Sequence, residues 1–441
     1  MKKLFVGVLA LQFLFSCSKN EDEIIADVTP NTTNLQNAPY SSLSSEQQKL
    51  KLEDEAKATL QEFEKTKTSS TIEAIRNLDF LLKSNPIDLS NGKLENGLNE
   101  ILNLSDAYGI YTWNNTMKRW DKTLSNENLV FKFPSKKIGT TNDTELIATS
   151  VSSKIKIKII DTPIKYQWVY NTNGYPQQMV ITPEVFDNLY LPLSVEAKIK
   201  INNVETGTIS LKNTFGTINE VPLTSSFKLN VNDGYSLEIN TNKQEKSTAS
   251  AKLSYNGKNI LSFDANSTAQ IDKLLAEQDL ASYYGKANVF YSIMDNFVIL
   301  GDVDNESLKN EQNKIRQDLP YPNYSSSDYY KNLNIYNKTK SQLLENASNK
   351  HIKLALVSKK DKTKIADIVW KSDFKRSTFH PVIWENGLWQ PSNTKGEKVD
   401  YYNEVMYLKF NDTTLVAMNV YFSTGFDSLK TEIKNFINVF N

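Results

Sequence analysis

Three kinds of side chain could do chemistry in this sequence: two imidazoles, a set of clustered aromatic rings and a single thiol. A histidine-based triad needs a nucleophile, the imidazole and an orienting acid in contact. His351 and His380 lie far apart, and neither a G-x-S-x-G elbow nor an H-E-x-x-H pair accompanies them. His380 precedes Pro381, as a loop residue does. Carboxylates are plentiful, but a glycosidase needs two of them about 5 to 10 Å apart across a cleft, and no pair stands out. Asp302-Val303-Asp304-Asn305-Glu306 spaces its oxygens as a calcium loop begins. Ser307 and Asn313 stand where such a loop needs its glycine and its glutamate. A polar loop capping the next helix accounts for the run. The sequence therefore assigns no catalytic residue, no metal ligands and no cofactor.

The aromatic set is richer. Tyr321, Tyr324, Tyr329 and Tyr330 lie in a Ser-rich loop, and Trp384 and Trp389 flank Asn386-Gly387. Exposed rings near amide side chains can stack on sugar faces or anchor a partner protein. These six residues are the candidate ligand-binding group. Burial in a core is the competing fate, because aromatic rings dominate cores.

The thiol is Cys17, the only cysteine. Lys2 and Lys3 precede an apolar run from Leu4 to Phe15, too short to span a bilayer and long enough for a signal-peptide core. Leu14-Phe15-Ser16-Cys17 resembles a bacterial lipobox. That resemblance implies removal of residues 1–16 and acylation of Cys17, so that the membrane is a partner through lipidated Cys17. The alternative is an ordinary signal peptide with an incidental cysteine, but the A-x-A-like pair that ends such peptides is missing. Residues 17–43 are polar, open with Glu21-Asp22-Glu23 and carry little apolar periodicity, which predicts a flexible tether.

Composition bounds the rest. Lys+Arg 51 balances Asp+Glu 51, which excludes a nucleic-acid partner, since that needs a concentrated basic face. No cysteine follows Cys17, so the core must carry the stability without disulfides. No later apolar run is long enough to cross a membrane as a helix.

The elements that must position these groups follow from periodicity. Ser44 with Gln47 fits a capping box, and Leu50, Leu52, Ala56, Leu60 and Phe63 form a stripe. A second helix is predicted from about Thr71 to Leu82, ended by Asn85-Pro86, and a third from Leu94 to Leu104. Residues 44–105 are thus a helical segment. From Tyr108 the period becomes two. Hairpins are predicted around Asn114-Asn115, Asn202-Asn203, Asp233-Gly234 and Asn256-Gly257. Lys154-Ile155-Lys156-Ile157-Lys158-Ile159 reads as a half-buried strand with solubilising lysines. Helices are predicted from Ser267 or Thr268 through Leu280, from Glu306 to Leu319 and from Tyr329 to Asn346. They make 106–349 an antiparallel β-meander with covering helices. Residues 350–441 read as C-terminal β-hairpins, the last of them Val405–Phe410 with Leu415–Phe422, and a closing helix. This span is either separate from or continuous with 44–349.

The expected fold class is α+β, a long antiparallel meander, curved or half-barrel-like, covered by helices. The lipobox with its acidic follow-on, Tyr108-Gly109-Ile110-Tyr111-Thr112-Trp113 leading to Trp120, Phe131-Lys132-Phe133-Pro134 and Tyr421-Phe422-Ser423-Thr424-Gly425-Phe426 resemble uncharacterised Bacteroidota cell-envelope lipoproteins. The resemblance implies an outer-membrane or surface location and carries over no catalytic residues. Asp412-Thr413-Thr414 and Asp427-Ser428-Leu429 resemble a short O-glycosylation motif, and fit a hairpin turn and a helix start equally well. The functional expectation is a lipid-anchored binding or structural protein. Its candidate partners are a glycan, an apolar ligand held in a half-barrel cavity, or an envelope protein.

Overall fold

The computed structural model describes residues 35, 37–87, 98–162, 165–182, 185–216, 221–243, 247–268, 285–293, 296–423 and 425–437. Residues 1–16, Cys17, most of the 17–43 segment and the helix predicted at 267–280 lie outside the described residues, apart from Ser267 and Thr268.

The period-two stretches form strands β1 to β20. In chain order they are β1 (Gly109–Asn114), β2 (Arg119–Thr123), β3 (Leu129–Phe133), β4 (Thr144–Thr162), β5 (Lys165–Tyr170), β6 (Pro176–Thr182), β7 (Val185–Ile201), β8 (Val204–Thr214), β9 (Thr224–Val231) and β10 (Tyr235–Lys243). They continue with β11 (Ser247–Tyr255), β12 (Lys258–Ser267), β13 (Lys286–Ile293), β14 (Phe297–Asp304), β15 (Ile352–Ser358), β16 (Thr363–His380), β17 (Val382–Glu385), β18 (Leu388–Pro391), β19 (Glu397–Lys409) and β20 (Leu415–Ala417). Sixteen of them make one open sheet in the order β2-β1-β3-β4-β7-β8-β9-β10-β11-β12-β13-β14-β15-β16-β19-β20. The fold is α+β with a long meander, as expected. Two hairpins, β5–β6 and β17–β18, stand outside the large sheet.

Alternation sets the two faces. Ala148, Ala197, Ile209, Leu229, Leu237, Leu253 and Leu261 pair in turn across seven strands and form one apolar row. The neighbouring row on the other face reads Glu196, Ser210, Lys228, Glu238, Lys252 and Ser262. Its alternating charges pair across strands, as Lys228 does with Glu238. Register is fixed by this contrast, because a one-residue slip would exchange the faces. The predicted turns form as the residue types require. Asn202, Asn203, Asn256 and Gly257 all have positive φ, the conformation of tight hairpin turns.

Among the described residues the apolar face is covered chiefly by two helices that precede the sheet in the chain. Helix α1 (Ser45–Lys65) begins with the expected capping box: Ser44 Oγ accepts from Gln47 N at 3.3 Å, and Gln47 Oε1 accepts from Ser44 N at 3.0 Å. Replacing Ser44 with alanine is expected to lower unfolding free energy by ~1 kcal/mol in a urea titration. An unchanged midpoint would mean that the cap bond does not form in solution. Helix α2 (Ser70–Ser84) follows, capped by Ser69 Oγ on Ile72 N, and ends at Asn85.

Together α1 and α2 lie across the strands. Ser45 O meets Tyr421, Lys51 pairs with Asp361 in the β15–β16 turn, and Glu62 O accepts from Tyr235 at the start of β10. Thr71 then reaches Thr206 in β8, Asn77 reaches Pro134 after β3, and Asn85 reaches Lys118 in the β1–β2 turn. The contacts run in sheet order. Residues 51 to 85 span about 51 Å at 1.5 Å per helical residue. The eleven strand spacings from β1 to β15 span about 53 Å at 4.8 Å each. The helical brace is thus about as long as the sheet it covers.

Leu52, Phe63, Ile72, Ile75, Leu78 and Leu82 from the brace enter one core with Phe131, Leu146, Ile199 and Ile209 from the sheet. Short helix α3 (Leu98–Leu102) and the C-terminal part join the same core through Ile101, Leu408, Phe410, Leu429 and Ile433. Spans 44–105, 106–349 and 350–441 therefore share one apolar interior.

Several features differ from the sequence expectation. β3 pairs parallel to β1, so the sheet is not wholly antiparallel. β13 and β14 were not expected. Phe297-Val298-Ile299-Leu300 is apolar without alternation because Val298 and Leu300 pack with Ala355 and Val357 on the face opposite Ile299. The expected return strand Leu415–Phe422 ends at Ala417 and becomes helix α6 (Met418–Tyr421). Finally, the end of the expected 17–43 tether is pinned. Ser41 N donates to Lys364 O and Lys364 N donates to Pro39 O, both at 2.8 Å, beside the point where β19 stops covering β16. Tyr40 hydrogen-bonds Asp367, and Lys364 sits over its ring at 4.3 Å. An uncovered strand edge attracts a passing segment whatever its polarity.

Candidate functional site

Helix α4 (Asn305–Asp318) leads into the Ser-rich loop, and α5 (Tyr329–His351) leaves it. Helix α5 crosses the ribbon that β16 and β19 form beyond the end of β15. Its polar side chains satisfy that ribbon's backbone. Asn334 Nδ2 donates to Lys398 O and Asn334 Oδ1 accepts from Asp400 N, while Asn349 exchanges two bonds with Trp370. The far end of the ribbon is thereby held against the first turn of α5. The β17–β18 hairpin springs from that end, with Trp384 opposite Trp389 across the turn at Asn386 and Gly387.

All six candidate aromatics meet here, although some sixty residues separate the two loops in sequence. Tyr330 is the hub: its ring centroid is 5.0 Å from Tyr329, 4.7 Å from Trp389 and 5.4 Å from His380. Trp389 lies 5.3 Å from Trp384 and donates its Nε1–H to Ser326 O at 3.2 Å, tying the hairpin to the loop. Tyr324 lies 4.9 Å from Tyr329, and the Tyr321 and Tyr329 hydroxyls are 3.2 Å apart. Leu333 and Val399 close the group from below. Burial pushes the Tyr329 and Tyr330 hydroxyls above the usual tyrosine range, and for Tyr329 the hydrogen bond with Tyr321 adds to the effect.

The cluster has a packed centre and an exposed rim. Tyr329 and Tyr330 are buried, Trp384 and Trp389 are half-buried, and Tyr321 and Tyr324 are 62 % and 55 % exposed. Phe379 and Leu388, 64 % and 60 % exposed, alternate with His380 and Trp389 and so lie on the opposite faces of their strands. Neighbouring rings among the six cross at 56° to 89°, so they interlock edge to face. A flat sugar platform needs coplanar exposed rings, and these rings do not provide one.

The imidazoles occupy separate settings. His351 pairs with Glu311 at 2.6 Å, beside Lys350. Hydrogen bonds from Lys350 and then His351 hold the Glu311 carboxyl below its usual range. His380, expected in a loop, is instead the last residue of β16, paired with Glu397; it packs on Tyr330, and among the described residues its Nε2 has no hydrogen-bond partner. Among the described residues no three His, Cys, Asp or Glu side chains gather as a metal site. The calcium-like run is divided, with Asp302 paired across to Asn288 in β13 and Asp304 Oδ1 capping α4 through Ser307 N. Thr413 and Thr414 lie in the β19–β20 turn and Ser428 in the first turn of helix α7 (Asp427–Ile437).

The sequence reading passed over a second aromatic group. Beyond Ala148 and Ser194, β4 and β7 lose β3 and β8 and continue as a two-stranded ribbon. The β5–β6 hairpin follows within it. Tyr166, Trp168, Tyr170, Tyr175 and Met179 are all about half exposed or more. The signal was present in the alternation Tyr166, Trp168, Tyr170. In the ribbon's stem Ile157 packs against the core and Lys156 is exposed, as the half-buried strand predicts.

Both aromatic groups lie at the same strand ends. Followed through the antiparallel pairs, the start of β16 shares an end with the starts of β14, β12, β10, β8 and β4. The chain enters there, at Tyr40. The two ribbons leave from the opposite ends. Compared with protein-family models, curated proteins and solved structures, the chain matches none.

Proposed function

We propose that the chain is a lipid-anchored cell-envelope protein, held at the outer membrane through Cys17, that presents an aromatic binding surface at the end of β16 opposite to where its N-terminal lead joins. The observation that carries this is the polarity of the sheet. The N-terminal lead joins at Lys364, and the 321–330 and 384–389 aromatics gather at the far end of the same strand, β16. The 23 steps from Cys17 to Tyr40 allow a reach of at most about 80 Å. No described helix is long and apolar enough to cross a membrane, and acyl chains on Cys17 supply attachment by burying methylenes.

A protein contact fits the exposed rim of the 321–389 cluster better than a flat sugar face or an apolar cargo does. Among the described residues the apolar face of the sheet packs against α1 and α2, and the gap beside Ile101, Leu104, Leu129 and Val195 has a volume of about 10 Å³. A hollow of about 290 Å³ is lined by polar and charged groups, among them Glu238, Lys252 and Asp264, whereas a carrier needs a continuous apolar cavity.

Cys17→Ser tests the anchoring half directly. After cell fractionation the wild-type protein is expected in the detergent-extractable membrane pool and the variant in the soluble pool. Equal membrane retention of the two would refute the anchor.

A further inference from the structure

We propose that the β5–β6 hairpin is a binding site for an uncharged polysaccharide, distinct from the 321–389 cluster. It goes beyond the binding reading above by naming a second site and its ligand class, and it does not depend on the lipid anchor.

The hairpin is built for contact, and among the described residues no other strand pairs with it. Residues 166, 168 and 170 alternate, so Tyr166, Trp168 and Tyr170 share one face at about 7 Å intervals. They are 49 %, 64 % and 74 % exposed. Gln178 stands directly opposite Trp168 and Pro176 opposite Tyr170, on the same face. Tyr175 and Met179 are 69 % and 52 % exposed as well. An isolated two-stranded hairpin is marginal in water, and a concentration of exposed rings on one marks an interaction site. Asn171 organises the tip, since its Oδ1 accepts from Asn173 N and Tyr175 N at 2.9 and 3.0 Å. The rings are therefore carried on a defined turn.

Charge selects the ligand. Of the eighteen residues 165–182 only Lys165 is charged, whereas 23 % of the whole chain is. An anionic polymer would meet almost no countercharge. Of the hairpin's five amide side chains, Gln178 shares the face of the rings, Asn171 and Asn173 stand at the tip, and Gln167 and Gln177 lie on the opposite face. Such a density of amides disfavours insertion into hydrocarbon, where each needs a hydrogen-bond partner. Rings that stack on C–H faces and amides that bond hydroxyls are what a neutral sugar chain offers surfaces to. Alternating placement along a strand suits an extended polymer over a single small sugar.

The test is affinity electrophoresis of the full mature chain carrying Cys17→Ser, in gels containing dextran, starch, xylan or mannan, with pectin as the anionic control. At least one neutral polymer is expected to retard the protein, and pectin is not. Trp168→Ala with Tyr170→Ala is expected to remove at least tenfold of the retardation, and Trp168→Phe to keep most of it. Both positions are exposed, so the variants fold, which the circular dichroism melt checks. Retardation that survives in the double variant but falls in Tyr321→Ala with Tyr324→Ala would overturn the hairpin site and leave the anchored binding reading standing. Absence of retardation by every neutral polymer would overturn it too. So would hairpin-dependent flotation with phosphatidylcholine vesicles, or hairpin-dependent self-association in sedimentation, since either would assign the rings to another occupant.

Discussion

Phe63→Ala is expected to lower the unfolding free energy by about 3–5 kcal/mol, among the largest effects of any single substitution in the chain. Phe63 is 1 % exposed and sits in the last turns of α1, where the brace passes over the β10–β11 region. Removing the ring leaves a cavity between brace and sheet that neither side can close. The brace keeps other contacts along its length, from Ser45 to Tyr421, from Lys51 to Asp361 in the β15–β16 turn and from Thr71 of α2 to Thr206 in β8, and those fix the spacing. Leu50 lies on the same helix but is 61 % exposed, so Leu50→Ala is expected to stay within ~0.5 kcal/mol. Urea titration of the two variants separates packing from helix propensity, which alone would favour alanine at both positions by under about 0.7 kcal/mol. Equal effects would show that α1 does not brace the sheet.

The second large effect is local. Tyr330→Ala removes the ring on which Tyr329, Trp389 and His380 converge. Its burial, at 6 % exposure, and its edge-to-face contacts together predict a loss of about 3 kcal/mol. That cluster is a separate nucleus from the main interior, sharing no buried residue with it. The loss is therefore expected to appear as local opening. Amide hydrogen exchange in 382–391 and 319–330 should accelerate roughly a hundredfold, since each 1.4 kcal/mol is tenfold. Strands β10 to β12 should exchange as before. Uniform acceleration across the sheet would mean that the cluster belongs to the global core.

The local rules written in the sequence were legible, and long-range placement was not. Ser44 with Gln47 announced a helix start, and Asn202-Asn203 and Asn256-Gly257 announced turns, because caps and positive φ depend on a few adjacent residues. Strict alternation announced β7 to β12 because one face of those strands meets the brace and the other meets water. Where both faces are buried, as at Val298 and Ile299, the alternation disappears and so did the strand. Where both faces are exposed, as in β5 and β6, alternation survives at Tyr166, Trp168 and Tyr170 but no core is there to explain it. The parallel pairing of β1 with β3 has no local signature at all.

The candidate site shows the same division. The six aromatics could be named from residue type, and their assembly through Ser326 and the α5 asparagines depends on contacts between segments some sixty residues apart. The pinning of Tyr40 likewise needs the edge that β19 leaves uncovered at Lys364. A polar segment can lie along such an edge because the bonds come from its backbone.

What decides the account is the chemical state of the mature N-terminus. Protein extracted from membranes, digested with trypsin and analysed by mass spectrometry should yield the peptide Cys17-Ser18-Lys19 with acyl chains on its first residue. An unmodified peptide that still joins Ser16 to Cys17, or an unacylated Cys17 terminus in membrane-retained protein, would contradict it.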